Sequence, residues 1–369
     1  MRRLALSGLE VDVVAAGDAI APPSTSPPIR GVRVHRIPLT PPPVGTPALF
    51  YSSGAPEVLE RGGPAVWVQA VELWAGMCRA LSALAPSWTR IEAHWLVPCG
   101  LAARAVAPHL PLSVRAHSGD VALLERLLGG RALARCFVKP GAGGVPSLGF
   151  VTGDLKERFA RLVKAEVGSV VPASALWPGR VDGAELEPGH GIRWERGAAR
   201  CVLGLPIATR TLLSVGRLVP VKGYDVLIRA VALATASADA RSTPGGSAAR
   251  PTRAPTLAPT LVILGDGPER GRLTELARRL DVDLRLPGFV PRDQVATWLG
   301  GADLYVQPSR PLRTGRTEGL PTATLEALSA GLPVVASATG GLRELPFDPP
   351  RLRLVQPDDA AALAACLEL

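Results

Sequence analysis

TLLSVGRLVPVKGYDVLIRAVALA, residues 211–234, contains one complete unit of the fold. TLLSVG (211–216) is a short apolar run closed by glycine, the pattern of a strand buried on both faces. YDVLIRAVALA (224–234) carries apolar residues at helical spacing, and the loop between holds Arg217 and Lys222. Strand, short loop and helix predict a βα unit. The same alternation continues on both sides. Further strands are predicted at TLVILG (260–265), LRLPG (284–288), ADLYVQP (302–308) and LPVVAS (332–337). Helices are predicted at GRLTELARRL (271–280), RDQVATWLG (292–300) and PTATLEALSA (321–330). The first half shows the pattern again in VDVV (11–14), VRVHRI (32–37), SVRAH (113–117) and GFVT (149–152). Two such series predict an α/β protein of two doubly wound, parallel-sheet, Rossmann-like domains, with ligand crevices at the carboxyl ends of the strands.

Length agrees, since 369 residues exceed one ordinary core. The expected domains are 1–185 and 186–369. Residues 172–200 are rich in Pro and Gly without periodicity and read as the connector. Residues 235–259 are of low complexity and read as a surface loop, as does the Pro-rich segment 21–47. The net charge of +9 rests on arginines scattered along the chain, without any nucleic-acid-binding signature, so no nucleic-acid partner is expected. Five cysteines, Cys78, Cys99, Cys136, Cys201 and Cys366, lie far apart, which suggests reduced thiols and a cytoplasmic location. Glu10 and Asp12 interrupt what would otherwise resemble a signal-peptide core. No run reaches the roughly 18 apolar residues of a membrane span, so any membrane association would be peripheral, on an anionic inner face.

EGLPTATLEALSAGLPVVAS (318–337) carries the most chemistry. Pro321 suits a first helical position, and Leu320 before it cannot cap. The N–H groups of Thr322, Ala323 and Thr324 are then left for a phosphate at a strand's carboxyl edge. Glu318 precedes this helix and Glu326 lies in its second turn. From spacing alone the pair reads first as two solvated glutamates. Arg217 and Lys222 change the context, because they stand in a strand-to-helix loop at the crevice. A diphosphate leaving group needs such cations, each charge-assisted hydrogen bond being worth about 1.5–3 kcal/mol. The other reading of these two is a solvated loop pair.

SVGRLVPVKG, LVILGDGPER, LPGFVPRDQV, ADLYVQPS and EGLPTATLEALSAGLPVVAS, in that order, resemble the C-terminal domain of retaining GT-B glycosyltransferases of family 4. Glu318 and Glu326 match its Glu-x7-Glu signature. Residues 91–124 are similar, more loosely, to the family's acceptor-side strand, helix and histidine loop. The resemblance implies two domains facing a cleft, and transfer of a sugar from a nucleotide-diphosphate sugar to a glycan, lipid-linked or small-molecule acceptor. It implies that Arg217 and Lys222 hold the diphosphate, Glu318 the sugar hydroxyls and Glu326 the ribose. Gly265, Asp266 and Gly267 would lie by the nucleotide, Phe289 and Val290 by the base, and Leu320, Pro321 and Thr322 at the phosphate. His117 would stand near the reacting centre, or else be a strand-end histidine bonded to backbone. Asp120 reads either as an acceptor contact or as the cap of VALLERLL. His94 and Trp95 read as packing. Loop 309–317, with Arg310, Arg313 and Arg316, reads as an anionic-acceptor contact, Arg313 foremost, or as a solvated loop.

The chemistry implied is retention by a dissociative, same-face route, since no carboxylate is placed as a nucleophile. No Asp-x-Asp pair stands in a suitable place, so no cofactor and no essential metal are expected. A dinucleotide-dependent oxidoreductase is disfavoured because GDGPERG (265–271) does not have the G-x-G-x-x-G spacing. A non-catalytic relative that binds nucleotide sugar remains the alternative. Against the family, Met1 falls inside the first helix, so the first strand and its glycine loop are expected to be missing from the first domain. The C-terminus likewise stops in mid-helix at 358–369. A first domain with open strand edges, prone to aggregation, is expected beside a sound 200–345 region.

Overall fold

The computed structural model describes residues 8–17, 30–40, 63–170, 195–242, 258–313, 315–345 and 351–367. The chain divides into two compact units, Met1–Val170 and Val171–Leu369. The boundary expected at 185/186 lies outside the described residues, as do 172–194 of the connector, most of the 235–259 loop and much of the 21–47 segment.

In the first unit, β1 (Val11–Ala16) pairs in parallel with β2 (Val32–Ile37). Helix α1 (Pro64–Leu84) follows, then β3 (Ile91–His94) and α2 (Leu101–Val106). Next come β4 (Leu112–Ala116), α3 (Ser118–Arg126), α4 (Gly130–Arg135), β5 (Ser147–Phe150), α5 (Gly153–Val163) and β6 (Ser169–Val170). Strands β3 to β6 form a second parallel sheet in sequential order. The βα pattern predicts one sheet here, whereas the described strands make two. Among the described residues, β1 and β3 each keep one edge without a strand partner. Helix α1, which the sequence reading does not anticipate, starts on Pro64, where the missing N–H costs nothing. It buries Val66, Gln69, Leu73, Gly76, Met77 and Leu81, a stripe at helical spacing. A Cβ on Gly76 would lie 2.3 Å from Cγ2 of Ile37, so the helix packs against β2 at a distance only glycine permits.

The second unit runs α6 (Arg196–Leu203), β7 (Thr211–Val215), α7 (Tyr224–Ser242), β8 (Thr260–Leu264), α8 (Arg270–Arg279) and β9 (Leu284–Gly288). It continues through α9 (Arg292–Gly301), β10 (Leu304–Gln307), α10 (Thr322–Ser329), β11 (Val334–Ser337), β12 (Leu352–Val355) and α11 (Ala360–Ala365). Two expectations are corrected. Residues 196–200, read as connector, begin a helix that Arg200 ties to Asp303 and to the Gly301 carbonyl. Residues 235–242, read as loop, prolong α7, since their alanines favour helix.

The six described strands of this unit are parallel, in the order β12-β11-β10-β7-β8-β9. Alternate residues serve two cores. Leu212, Leu261, Ile263, Leu304 and Val306 pack with α7, α8 and α11 on one side. Leu213, Val262, Leu264, Tyr305 and Val334 pack with α9 and α10 on the other. Because both faces are covered, every position of TLVIL is buried, and the strand reads as an apolar run instead of an alternation. Strand order reverses direction between β7 and β10. The loops leaving those two strands therefore open a crevice at this switch point.

Candidate functional site

The switch point brings together residues almost a hundred positions apart in sequence. The loop after β7 carries Arg217 and ends in a 3₁₀ turn, Pro220–Lys222. Gly223 closes that turn at φ +66°, and a Cβ there would lie 2.0 Å from the Pro308 carbonyl oxygen. Glycine thus lets the loop after β10 lie against this turn. Lys222 Nζ then donates to Glu318 Oε1 at 2.9 Å, with side chains only 12% and 17% exposed. Ser309 Oγ donates to the other oxygen, Oε2, at 2.8 Å. Burial alone would raise the Glu318 carboxyl. Lys222, Ser309 and Arg217 more than offset it and hold the group below the ordinary carboxylate range.

The loop after β8 forms a second wall. Gly265 has φ +136°, and a Cβ on it would sit 2.1 Å from the Gly216 carbonyl oxygen. Gly216 N–H donates to Leu264 O and Leu218 N–H to Asp266 O, both at 2.9 Å, which lace the two loops together. Asp266 Oδ1 accepts from Gly267 N–H at 2.7 Å and from Arg270 Nε at 3.0 Å. Beyond β9, Phe289 is 70% exposed while Val290 is half-buried against the core.

Helix α10 starts one residue later than expected. Pro321 occupies the cap position with extended backbone and no side-chain cap, and its carbonyl accepts the Thr324 N–H. Thr324 is therefore withdrawn from the expected phosphate set, since Pro321 stands before the first turn rather than in it. Thr322 remains at the first turn and Leu320 packs on the core. Glu326 lies 3.4 Å from Arg292. Burial raises its carboxyl, against the pull of Arg292.

Loop 309–317 differs from its reading as a set of available arginines. Arg310 is bound by Asp225, by Asp358 at 2.9 Å and by the Pro220 carbonyl at 2.9 Å. Arg316 is buried, and Arg313 is exposed.

In the first unit, His117 caps α3 at the end of β4. Its ring stacks with Trp95, at 5.4 Å, and with His94, at 5.6 Å, with His94 Nδ1 3.4 Å from His117 Nε2. Burial, then His94 and Arg115, push His117 down to about 4, so it is neutral at pH 7. Trp95 has φ +80°, a conformation that costs a bulky residue energy. Asp120 is corrected as an acceptor contact, because it is 1% exposed. Oδ1 takes the His117 N–H at 2.9 Å and Oδ2 the Leu96 N–H at 2.6 Å, so the carboxyl joins two backbone segments. Burial pushes it up to about 7.

Three participants escape the sequence reading: Ser309 on Glu318, Arg292 on Glu326, and His94 on His117. For Ser309 a signal existed. Tyr305, Gln307 and Ser309 are polar at every second position of an otherwise apolar strand.

Comparison with known proteins gives concordant matches. The family description "Glycosyl transferases group 1" matches residues 209–369. A relative named D-inositol 3-phosphate glycosyltransferase 1, from Catenulispora acidiphila, is 30% identical over 365 residues, 93% of this chain and 73% of its own length. TuaC of Bacillus subtilis (strain 168), named as a teichuronic acid biosynthesis glycosyltransferase, is 29% identical over 279 residues, 75% of this chain. The chain spans 60% of the length of TuaC. Among solved structures, sucrose-phosphate synthase from Thermosynechococcus elongatus superposes with a TM-score of 0.66 at 18% identity, over 99% of this chain and 80% of its own. The fold is that of the GT-B glycosyltransferases. Among the described residues, no helix is long and apolar enough to cross a membrane.

Proposed function

The chain belongs to the group 1 glycosyltransferases, and from that membership we propose that it moves a sugar from a nucleotide-diphosphate donor to an acceptor hydroxyl with retention at the anomeric carbon. The observation that carries this reading is the Lys222–Glu318 pair at the switch point, reached from two different strand-end loops.

Arg217 and Lys222 neutralise the departing diphosphate, together with the N-terminus of α10. The bond from the anomeric carbon to the diphosphate oxygen breaks with its electron pair going to the diphosphate. The acceptor oxygen adds to the same face, and its proton passes to the released diphosphate oxygen. Glu318 serves as a hydroxyl acceptor and not as a nucleophile. Both of its oxygens already hold hydrogen bonds, which lowers their nucleophilicity and leaves further lone pairs for sugar hydroxyls. Glu326 takes the ribose, Gly265–Gly267 the nucleotide, and Phe289 and Val290 the base. Neutral His117 hydrogen-bonds a substrate hydroxyl, and Arg313 is the remaining acceptor-side cation. The acceptor is a glycan, a lipid-linked molecule or a small molecule that offers a hydroxyl.

A panel of uridine and guanosine diphosphate sugars, screened for thermal stabilisation, tests the donor class. At least one nucleotide sugar should stabilise the chain more than its free nucleoside diphosphate does. A chain stabilised by NAD(P) and by no nucleotide sugar would overturn the reading.

A further inference from the structure

We infer that Ser309 is a positioning residue for Glu318, the end of a one-way hydrogen-bond relay that runs up strand β10 and sets donor-sugar recognition. The inference rests on the donor role given to Glu318 above.

Tyr305, Gln307 and Ser309 project from the same side of the chain, two residues apart, and each is wholly buried. Tyr305 hydroxyl donates to Gln307 Oε1 at 3.0 Å. Gln307 Nε2 donates to Ser309 Oγ at 2.8 Å, and Ser309 donates to Glu318 Oε2 at 2.8 Å. Every donor therefore points towards the carboxylate. Such a chain polarises itself, and each link strengthens the next towards the anion. With Lys222 on Oε1 and Ser309 on Oε2, the carboxylate plane is held from both ends.

A purely structural strand at this place would hold apolar residues, as Leu304 and Val306 do on the other face. Buried polar side chains are tolerated there only because each has a partner. The relay spends three core positions to aim one carboxylate at the crevice. Its effect should fall on the sugar, which Glu318 meets, and spare the nucleoside diphosphate, which Arg217, Lys222 and Glu326 hold.

The test is calorimetric titration of the full chain with UDP-glucose, UDP-N-acetylglucosamine, GDP-mannose, UDP and GDP. Ser309→Ala should bind the preferred nucleotide sugar about tenfold more weakly than wild type, and the matching nucleoside diphosphate within about twofold. Ser309→Thr, which keeps the hydroxyl, should recover most of the loss. Gln307→Leu should shift the same ratio in the same direction, and it supplies the answer if Ser309→Ala does not fold. A Ser309→Ala chain that weakens both ligands equally, or neither, overturns the inference, as does a folded Ser309→Thr without recovery. Wild type that binds no nucleotide sugar of the panel overturns the donor reading and the relay with it.

Discussion

Lys222 and Glu318 face each other at 2.9 Å where neither is well solvated, so removing one strands the other. Breaking such a pair costs about 3 kcal/mol. Lys222→Ala should therefore lower stability as well as turnover, the latter by about 10²–10³-fold for loss of one transition-state donor. The two effects separate by pH. In wild type the Glu318 carboxyl lies below its ordinary range, so its contribution is present above the unfolded pKa of about 4.3 and is lost as pH falls through the folded value. Without Lys222, burial is opposed less and pushes the carboxyl up relative to wild type, so the variant takes up this proton at a higher pH than wild type does. The stability gap between Lys222→Ala and wild type should be widest near pH 7 and shrink towards pH 4. Denaturant melts at both pH values check this, and a gap that widens in acid would contradict it. The glutamates should also divide their work. Glu326→Ala should weaken even the free nucleoside diphosphate by about 10–100-fold, whereas Glu318→Ala should weaken only the intact nucleotide sugar. Titration of each variant with both ligands checks the division, and equal losses throughout would contradict it.

Among elements, legibility followed burial geometry. Strands β7, β8, β10 and β11 are covered on both faces, so they stand out as apolar runs flanked by Gly or Pro, and all four were readable. Helix α1 was not, because Trp67, Val68, Val71 and Trp74 remain exposed beside its buried stripe and blur the helical period. Strand β12 was missed too, since Arg353 breaks an already short apolar segment. Of the candidate site, Arg217, Lys222, Glu318 and Glu326 were singled out by loop position and by the motif resemblance, since spacing alone reads the glutamates as solvated. Their partners were not, because the contacts of Glu318 with Lys222 and of Asp120 with Leu96 are made only by tertiary folding. Gly76 tests the α1 packing. Gly76→Val must push Ile37 aside, an overpacking cost of about 1–3 kcal/mol. Chemical denaturation should show that loss, and an unchanged midpoint would contradict the close contact.

At the scale of the whole chain, the second unit joins three loops into one crevice, those leaving β7, β8 and β10. Nucleoside diphosphate should accordingly slow amide hydrogen exchange at 216–223, 264–268 and 318–324, and leave α1 unchanged. Protection centred on α1 would contradict the placement of the donor site. The two βα series were visible in the sequence, but the separation, among the described residues, of β1–β2 from β3–β6 was not, because pairing between strands is absent from any single strand's pattern. On the proposed function, the switch-point cations expel a diphosphate from a sugar. Proton NMR of a nucleotide-sugar panel incubated with the chain measures it directly. One donor should be consumed, releasing nucleoside diphosphate and a first-formed product with the donor's anomeric configuration, about 10²–10³-fold more slowly with Lys222→Ala. An inverted product, or consumption that Lys222→Ala leaves unchanged, would contradict the account.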